Sequence, residues 1–204
     1  MKKPVSAAPQ RAANVPNEVR IIGGQWKRSK LPVANLPGLR PTPARVRETL
    51  FNWLGQDLQG LRCLDAFAGT GALGFEAASR GAAEVVLVEQ DSALLSALNR
   101  SKTKLSANTV RVERGDGVAA LRQRGGLGLD VVFLDPPFAD GQNDVLVLAA
   151  LAAARAAVRE TGLLYLEAPR AWGVDELAAI GLQVQRQGKA GQVAFHLLRL
   201  LPAQ

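Results

Sequence analysis

Cysteine, histidine and aromatic residues are scarce in this chain of 204 residues. There is one cysteine, Cys63, which excludes a disulfide framework and a cysteine-built zinc site. There is one histidine, His196, which excludes a multi-histidine metal site and argues against a Ser-His-Asp triad. No apolar run is long enough to span a bilayer; Val145–Ala154 stops at Arg155. The first sixteen residues carry no apolar stretch of the secretory type. Together these features predict a soluble, cytoplasmic protein with no membrane partner and no metal. Cys63, on an apolar strand, reads as packing, and His196 as structural.

What is present is a strong local excess of positive charge. The net charge is +7, yet residues 1–50 hold ten Lys/Arg against two acids, while the remainder is near neutral. A neutral body with a basic arm suits a polyanion, most simply nucleic acid, although a solvated face would have the same composition. Residues 1–17 lack periodicity and predict a disordered tail. Val19–Ile22 and Leu31–Val33 predict a small basic hairpin around Trp26, Lys27, Arg28 and Lys30. Trp26 can stack on a base or pin the hairpin to the body. Thr42-Pro43 predicts a helix start with Thr42 as cap, followed by a stripe of Val46, Leu50 and Trp53-Leu54. Arg45 and Arg47 fall off that stripe and are expected to face phosphate.

From Leu61 strands and helices alternate. Strands are expected at Arg62–Phe67, Glu84–Glu89, Thr109–Glu113, Leu129–Leu134 and Gly162–Glu167. Helices are expected at Ala72–Arg80, Ser92–Ser106, Gly117–Arg124, Asp144–Arg159 and Val174–Ile180. This alternation predicts a parallel α/β sheet covered on both faces. Leu182–Gln187 and Gln192–Leu200 predict a closing antiparallel hairpin. The expected division is a tail 1–17, a basic extension 18–56 and a catalytic domain 57–204.

Gly69, Gly71 and Gly74 form a GxGxxG loop between a strand and a helix, and Glu89 ends the next strand where it can accept from ribose hydroxyls. That pattern alone admits a dinucleotide or a nucleoside. Asp65, before the first glycine, suits a cationic or ammonium-bearing ligand and repels a pyrophosphate. Asp116, in Arg114-Gly-Asp-Gly117, can accept from an adenine amine, or cap the next helix. These two acids favour S-adenosylmethionine over NAD. Asp135-Pro-Pro-Phe138 closes the fourth strand of this alternation. Its rigid turn gathers the Asp135 carboxylate, the Pro136 carbonyl and the Phe138 ring, which are the parts needed to hold a planar base by an exocyclic amine. Tyr165 and Glu167 end the following strand and can border that pocket or serve the core.

Asp135–Phe138 resembles the motif of amino-methyltransferases acting on nucleic-acid bases, and Asp65-Ala-Phe-Ala-Gly-Thr-Gly71 resembles their cofactor loop. Val19–Val33, Arg40–Leu54 and Leu73–Gly81 resemble the bacterial RsmD family of 16S ribosomal RNA guanine-N2 methyltransferases. The likeness spans about residues 19–200. It implies a Rossmann-like class I methyltransferase fold, with a seven-stranded, mostly parallel sheet whose last strand is reversed. It implies S-adenosylmethionine as donor and guanine 966 (family rRNA convention) of a partly assembled 30S subunit as acceptor; the protein itself is expected to be a monomer. It further implies that Asp65, Gly69 and Gly71 cradle the methionine end, Glu89 the ribose, and Asp116 and Gly117 the adenine. Asp135, Pro136 and Phe138 would hold the guanine. Arg20, Trp26, Lys27, Arg28, Lys30, Arg40, Arg45 and Arg47 would grip RNA. A DNA adenine-N6 enzyme, an NAD-dependent oxidoreductase and a non-catalytic RNA-binding module are the competing readings.

Overall fold

The computed structural model describes residues 17–36, 39–137 and 144–202. The expected tail, apart from Asn17, and Phe138 lie outside them. Seven strands form one sheet: β3 (Arg62–Asp65), β4 (Glu84–Glu89), β5 (Val110–Arg114), β6 (Leu129–Leu134), β7 (Val158–Ala168), β8 (Leu182–Ala190) and β9 (Val193–Leu200). Their spatial order is β5-β4-β3-β6-β7-β9-β8, and β9 alone runs against its neighbours. The central strands are largely apolar because both faces are covered; every residue of β6 is buried. Its one charge, Asp130, is matched by the Arg62 N–H at 2.7 Å and the Arg159 guanidinium at 2.7 Å.

One face carries α1 (Ala44–Trp53), α2 (Ala72–Ser79) and α3 (Ser92–Leu105); the other carries α4 (Gly117–Gln123), α5 (Asp144–Ala157) and α6 (Val174–Ala178). The expected N-terminal hairpin is present as β1 (Glu18–Arg20) paired antiparallel with β2 (Lys30–Pro32). Val19, Ile21, Leu31 and Val33 enter the same buried cluster as Phe51, Phe75 and Phe133. The arm therefore shares the core of the sheet. Gly24 (φ +70°) lets the hairpin turn lie directly on the Ser79 carbonyl, where any Cβ would collide.

Glu76, fully buried on α2, ties the arm down. Its carboxylate accepts from the Ile22 and Gly23 N–H groups, each at 2.8 Å, from Arg80 at 2.9 Å and from Arg47 at 3.4 Å. Arg47 is only 2% exposed and also donates to the carbonyls of Thr42 and Arg20. The expectation that Arg47 faces phosphate is therefore corrected. Its long side chain turns inward to neutralise Glu76. Thr42 is corrected too. Pro43 occupies the cap position of α1 without a side-chain cap, and the Thr42 hydroxyl donates instead to Asp135 Oδ2 at 3.4 Å.

Several element boundaries differ from expectation by one to four residues. The strand after α5 starts at Val158, so the alanine-rich helix ends earlier than its composition suggests. β3 ends at Asp65, where the chain turns into the glycine loop.

Candidate active site

The carboxyl ends of β3, β4, β6 and β7 meet on the α1–α2 side of the sheet. Alternation along each strand decides what points there. Phe133 and Tyr165 lie in the cluster on this face, whereas Leu64, Leu134 and Leu166 pack on the opposite one. Asp65, Asp135 and Glu167 therefore project to the same side from three adjacent strands.

Asp65 is 1% exposed. Its Oδ2 accepts from the Gly74 N–H at 3.1 Å, which closes the first turn of α2 from outside that helix. Its Oδ1 is buried and has no hydrogen-bond partner among the described residues. Burial, with Glu89 and Glu167 nearby, pushes its carboxyl up to about 7. Gly71, at φ +76°, is the N-cap of α2, and its positive φ is what lets the loop enter the helix. Glu89 braces that loop. Its Oε2 accepts from Gly69 N–H, and its Oε1 accepts from Gln90 and Asp91 N–H, all at 2.9 Å. Asp116 caps α4 through the Ala119 N–H at 2.8 Å, and a Cβ on Gly117 would strike the Ala66 carbonyl.

Asp135 follows β6 and meets the Thr42 hydroxyl. Burial, then the Glu167 and Asp65 charges, raise its carboxyl well above the usual carboxylate range. Glu167 is 4% exposed and accepts from the Tyr165 hydroxyl at 2.9 Å. Burial raises it as well, opposed by the Thr42 and Tyr165 hydroxyls. Among the described residues none of these three acids makes an ion pair. Clustered, desolvated carboxylates with an unpartnered oxygen fit a ligand that brings positive charge and N–H donors.

The structure thus brings Asp65, Gly69, Gly71, Glu89, Asp116, Gly117, Asp135 and Pro136 to one edge of the sheet. It adds Thr42, which local sequence disguised as a helix cap, and of the two alternatives left open for Glu167 it favours the border of the pocket, next in register to Asp135. The basic residues are distributed differently. Arg20, Lys27, Arg28, Arg40 and Arg45 are exposed. Lys30 is paired with Glu18 at 2.8 Å. Trp26 is half-buried against the core, and its backbone N–H donates to Ser79 Oγ. Because the hairpin turn is bonded to the last residue of α2, it lies about 12 Å along that helix from the glycine loop. His196 is fully buried, its Nε2 accepting from the Trp172 N–H at 3.2 Å. Burial pushes the Cys63 thiol up.

A family model described as conserved hypothetical protein 95 matches residues 19–199. Ribosomal RNA small subunit methyltransferase D of Escherichia coli (strain K12) is 42% identical over 180 residues, 88% of this chain and 89% of its own. Its namesake from Haemophilus influenzae is 48% identical over 128 residues, 61% of this chain and 66% of its own. Among solved structures, one assigned as the methyltransferase yhhF from Escherichia coli superposes with a TM-score of 0.74 at 36% identity. That match covers 90% of this chain and 98% of the other.

Proposed function

The chain belongs to the RsmD family, that of ribosomal RNA small subunit methyltransferase D, and on that premise we propose that it methylates the exocyclic N2 amine of a guanine in 16S rRNA. S-adenosylmethionine is the methyl donor and, when bound, supplies an activated sulfonium methyl. The observation that carries the acceptor reading is the Asp135-Pro136 turn. It ends β6 beside the glycine loop, with Asp135 half-buried near Asp65 and Glu167 and bonded to the Thr42 hydroxyl.

Each group then has a task. Asp65 offers its unpartnered Oδ1 to the charged methionine end, and the Gly69–Gly71 loop gives that end backbone room. Glu89 takes ribose hydroxyls, and Asp116 with Gly117 takes the adenine. The Asp135 carboxylate and the Pro136 carbonyl accept the two N2–H bonds. That draws the nitrogen lone pair out of conjugation with the ring and aims it at the methyl. Asp135 is placed to receive the proton that the amine sheds. Most of the acceleration comes from holding two reactants in line. The base has to leave its stack to reach this buried edge. Residues 18–56, through Arg20, Lys27, Arg28, Arg40 and Arg45, hold phosphate, while residues 57–204 carry the chemistry. The substrate is a partly assembled 30S particle in the cytoplasm, met by a monomer.

The test is incubation with radiolabelled S-adenosylmethionine and, separately, unmethylated 30S particles, naked 16S rRNA and duplex DNA, followed by nucleoside mass spectrometry. N2-methylguanosine from a ribosomal substrate, lost in Asp135→Ala, is the expected result. Methyladenine in DNA would replace this reading with that of a DNA adenine-N6 enzyme.

A further inference from the structure

Guanine presents three N–H donors along one edge, two on N2 and one on N1. Asp135 and Pro136 provide two acceptors, so the N1–H needs a third. Leu134 pairs with Leu166 in the parallel β6–β7 ladder, which puts Asp135 and Glu167 next in register on strands about 4.8 Å apart. Both acids face the side occupied by Phe133 and Tyr165. Glu167 is only 4% exposed, and it accepts from the Tyr165 hydroxyl at 2.9 Å. Tyr165 is itself fully buried and packed against Phe133, at 6.5 Å between ring centroids. A carboxylate held this firmly has its remaining capacity as an acceptor.

We infer that Glu167 selects guanine by accepting its N1–H, beside Asp135 on the N2 amine. The inference rests on the guanine reading above and extends it to the choice of base. Adenine offers the same kind of exocyclic amine but carries a lone pair at N1, which would face a buried carboxylate with no proton between them. Burial raises the Glu167 carboxyl overall, opposed by the Tyr165 and Thr42 hydroxyls, and a bound N1–H donor adds to that opposition and favours the ionised, accepting form. The neighbouring Asp65 has a separate task, because its Oδ2 is committed to the helix start and its backbone pairs with Phe133, two residues before Asp135.

The experiment uses 30S particles reconstituted with guanine, 2-aminopurine or adenine at the methylated position. 2-Aminopurine keeps the N2 amine and replaces the N1–H with a lone pair. Under single-turnover conditions the wild-type protein should methylate guanine at least about 100-fold faster than 2-aminopurine, since sites built around a hydrogen bond reject analogues lacking it strongly. In Glu167→Gln the Tyr165 hydroxyl still has an amide oxygen to bond, and the amide N–H₂ turns to the base. The guanine rate should then fall at least about 100-fold while the 2-aminopurine rate falls far less, so the preference collapses. Equal wild-type rates on the two bases overturn the inference, and that comparison needs no variant. A Glu167→Gln protein that unfolds at the wild-type temperature but loses both activities equally also overturns it. A wild-type protein that labels no guanine in any particle refutes the acceptor reading instead.

Discussion

Replacing Glu76 with glutamine removes one charge and leaves the size of the side chain unchanged. Glu76 is fully buried and Arg47 is 2% exposed, so the variant strands a guanidinium away from water. Breaking one partner of such a buried pair costs about 3–5 kcal/mol. The Gln amide oxygen can serve only part of what two carboxylate oxygens served. The Ile22 and Gly23 N–H groups, each now bonded at 2.8 Å, compete for it, and an abandoned buried donor costs about 1 kcal/mol or more. The expected loss is at least about 4 kcal/mol. At about 2–4 °C per kcal/mol for a domain of this size, the midpoint should fall by about 8–16 °C. Urea and thermal unfolding followed by circular dichroism measure both. Glu84→Gln is the control, because its pairs with Arg62 and Arg111 are partly exposed and should be worth under about 1 kcal/mol. Glu76→Gln combined with Arg47→Met should cost less than the two single changes together. A loss below about 1 kcal/mol in Glu76→Gln would refute the argument that this pair fastens the arm to α2.

Asp65 gives a pH dependence. Its folded carboxyl titrates near 7 against an ordinary 3.8, so the folded state keeps a proton that the unfolded chain has lost. Stability should therefore fall as pH rises from about 4 to about 7. Asp65→Asn should flatten part of that slope in urea midpoints, leaving the share due to Asp135 and Glu167. Lys27→Ala with Arg28→Ala should weaken rRNA binding and reduce the salt dependence of log K by about 1–2, measured by filter binding over a salt series. Arg47→Ala should act through unfolding instead. Gly117→Ala places a Cβ against the Ala66 carbonyl and should destabilise by about 1–3 kcal/mol, read by urea unfolding.

Much of the candidate site's geometry was legible because its signals are local. The Gly69–Gly71 loop, Glu89 at the end of a strand and the Asp135-Pro-Pro turn each sit within a few residues of the element that positions them. β4 and β6 run over the expected residues. What local reading missed depends on distant partners. Thr42 has the sequence of a cap, yet its partner is 93 positions away in Asp135. Arg47 lies off an apolar stripe, which normally means solvent, but it meets a buried acid 29 residues on. Glu76 gave no signal, since an acid inside an alanine-rich helix looks like an exposed one until Ile22 and Gly23 fold onto it. β7 begins at Val158 because the sheet ladder recruits residues whose composition continues the preceding helix.

On the proposed reading, in which Glu89 takes ribose hydroxyls, its carboxylate is already fixed before any ribose reaches it. Three backbone N–H groups, from Gly69, Gln90 and Asp91, hold its two oxygens. A flexible glutamate would give up about 0.5–1.5 kcal/mol of rotamer freedom on meeting a hydroxyl pair, and here that entropy is lost during folding instead. The same arrangement makes the residue hard to dissect by truncation. Glu89→Ala would free the Gly69 peptide along with the hydroxyl contact, so a drop in donor affinity would sum loop disorder and lost recognition. Glu89→Gln leaves one acceptor oxygen, so either the Gly69 N–H or the Gln90 and Asp91 N–H groups lose their partner; it should loosen the glycine turn less than Glu89→Ala does, and comparing the two variants grades the cost of disorganising that turn.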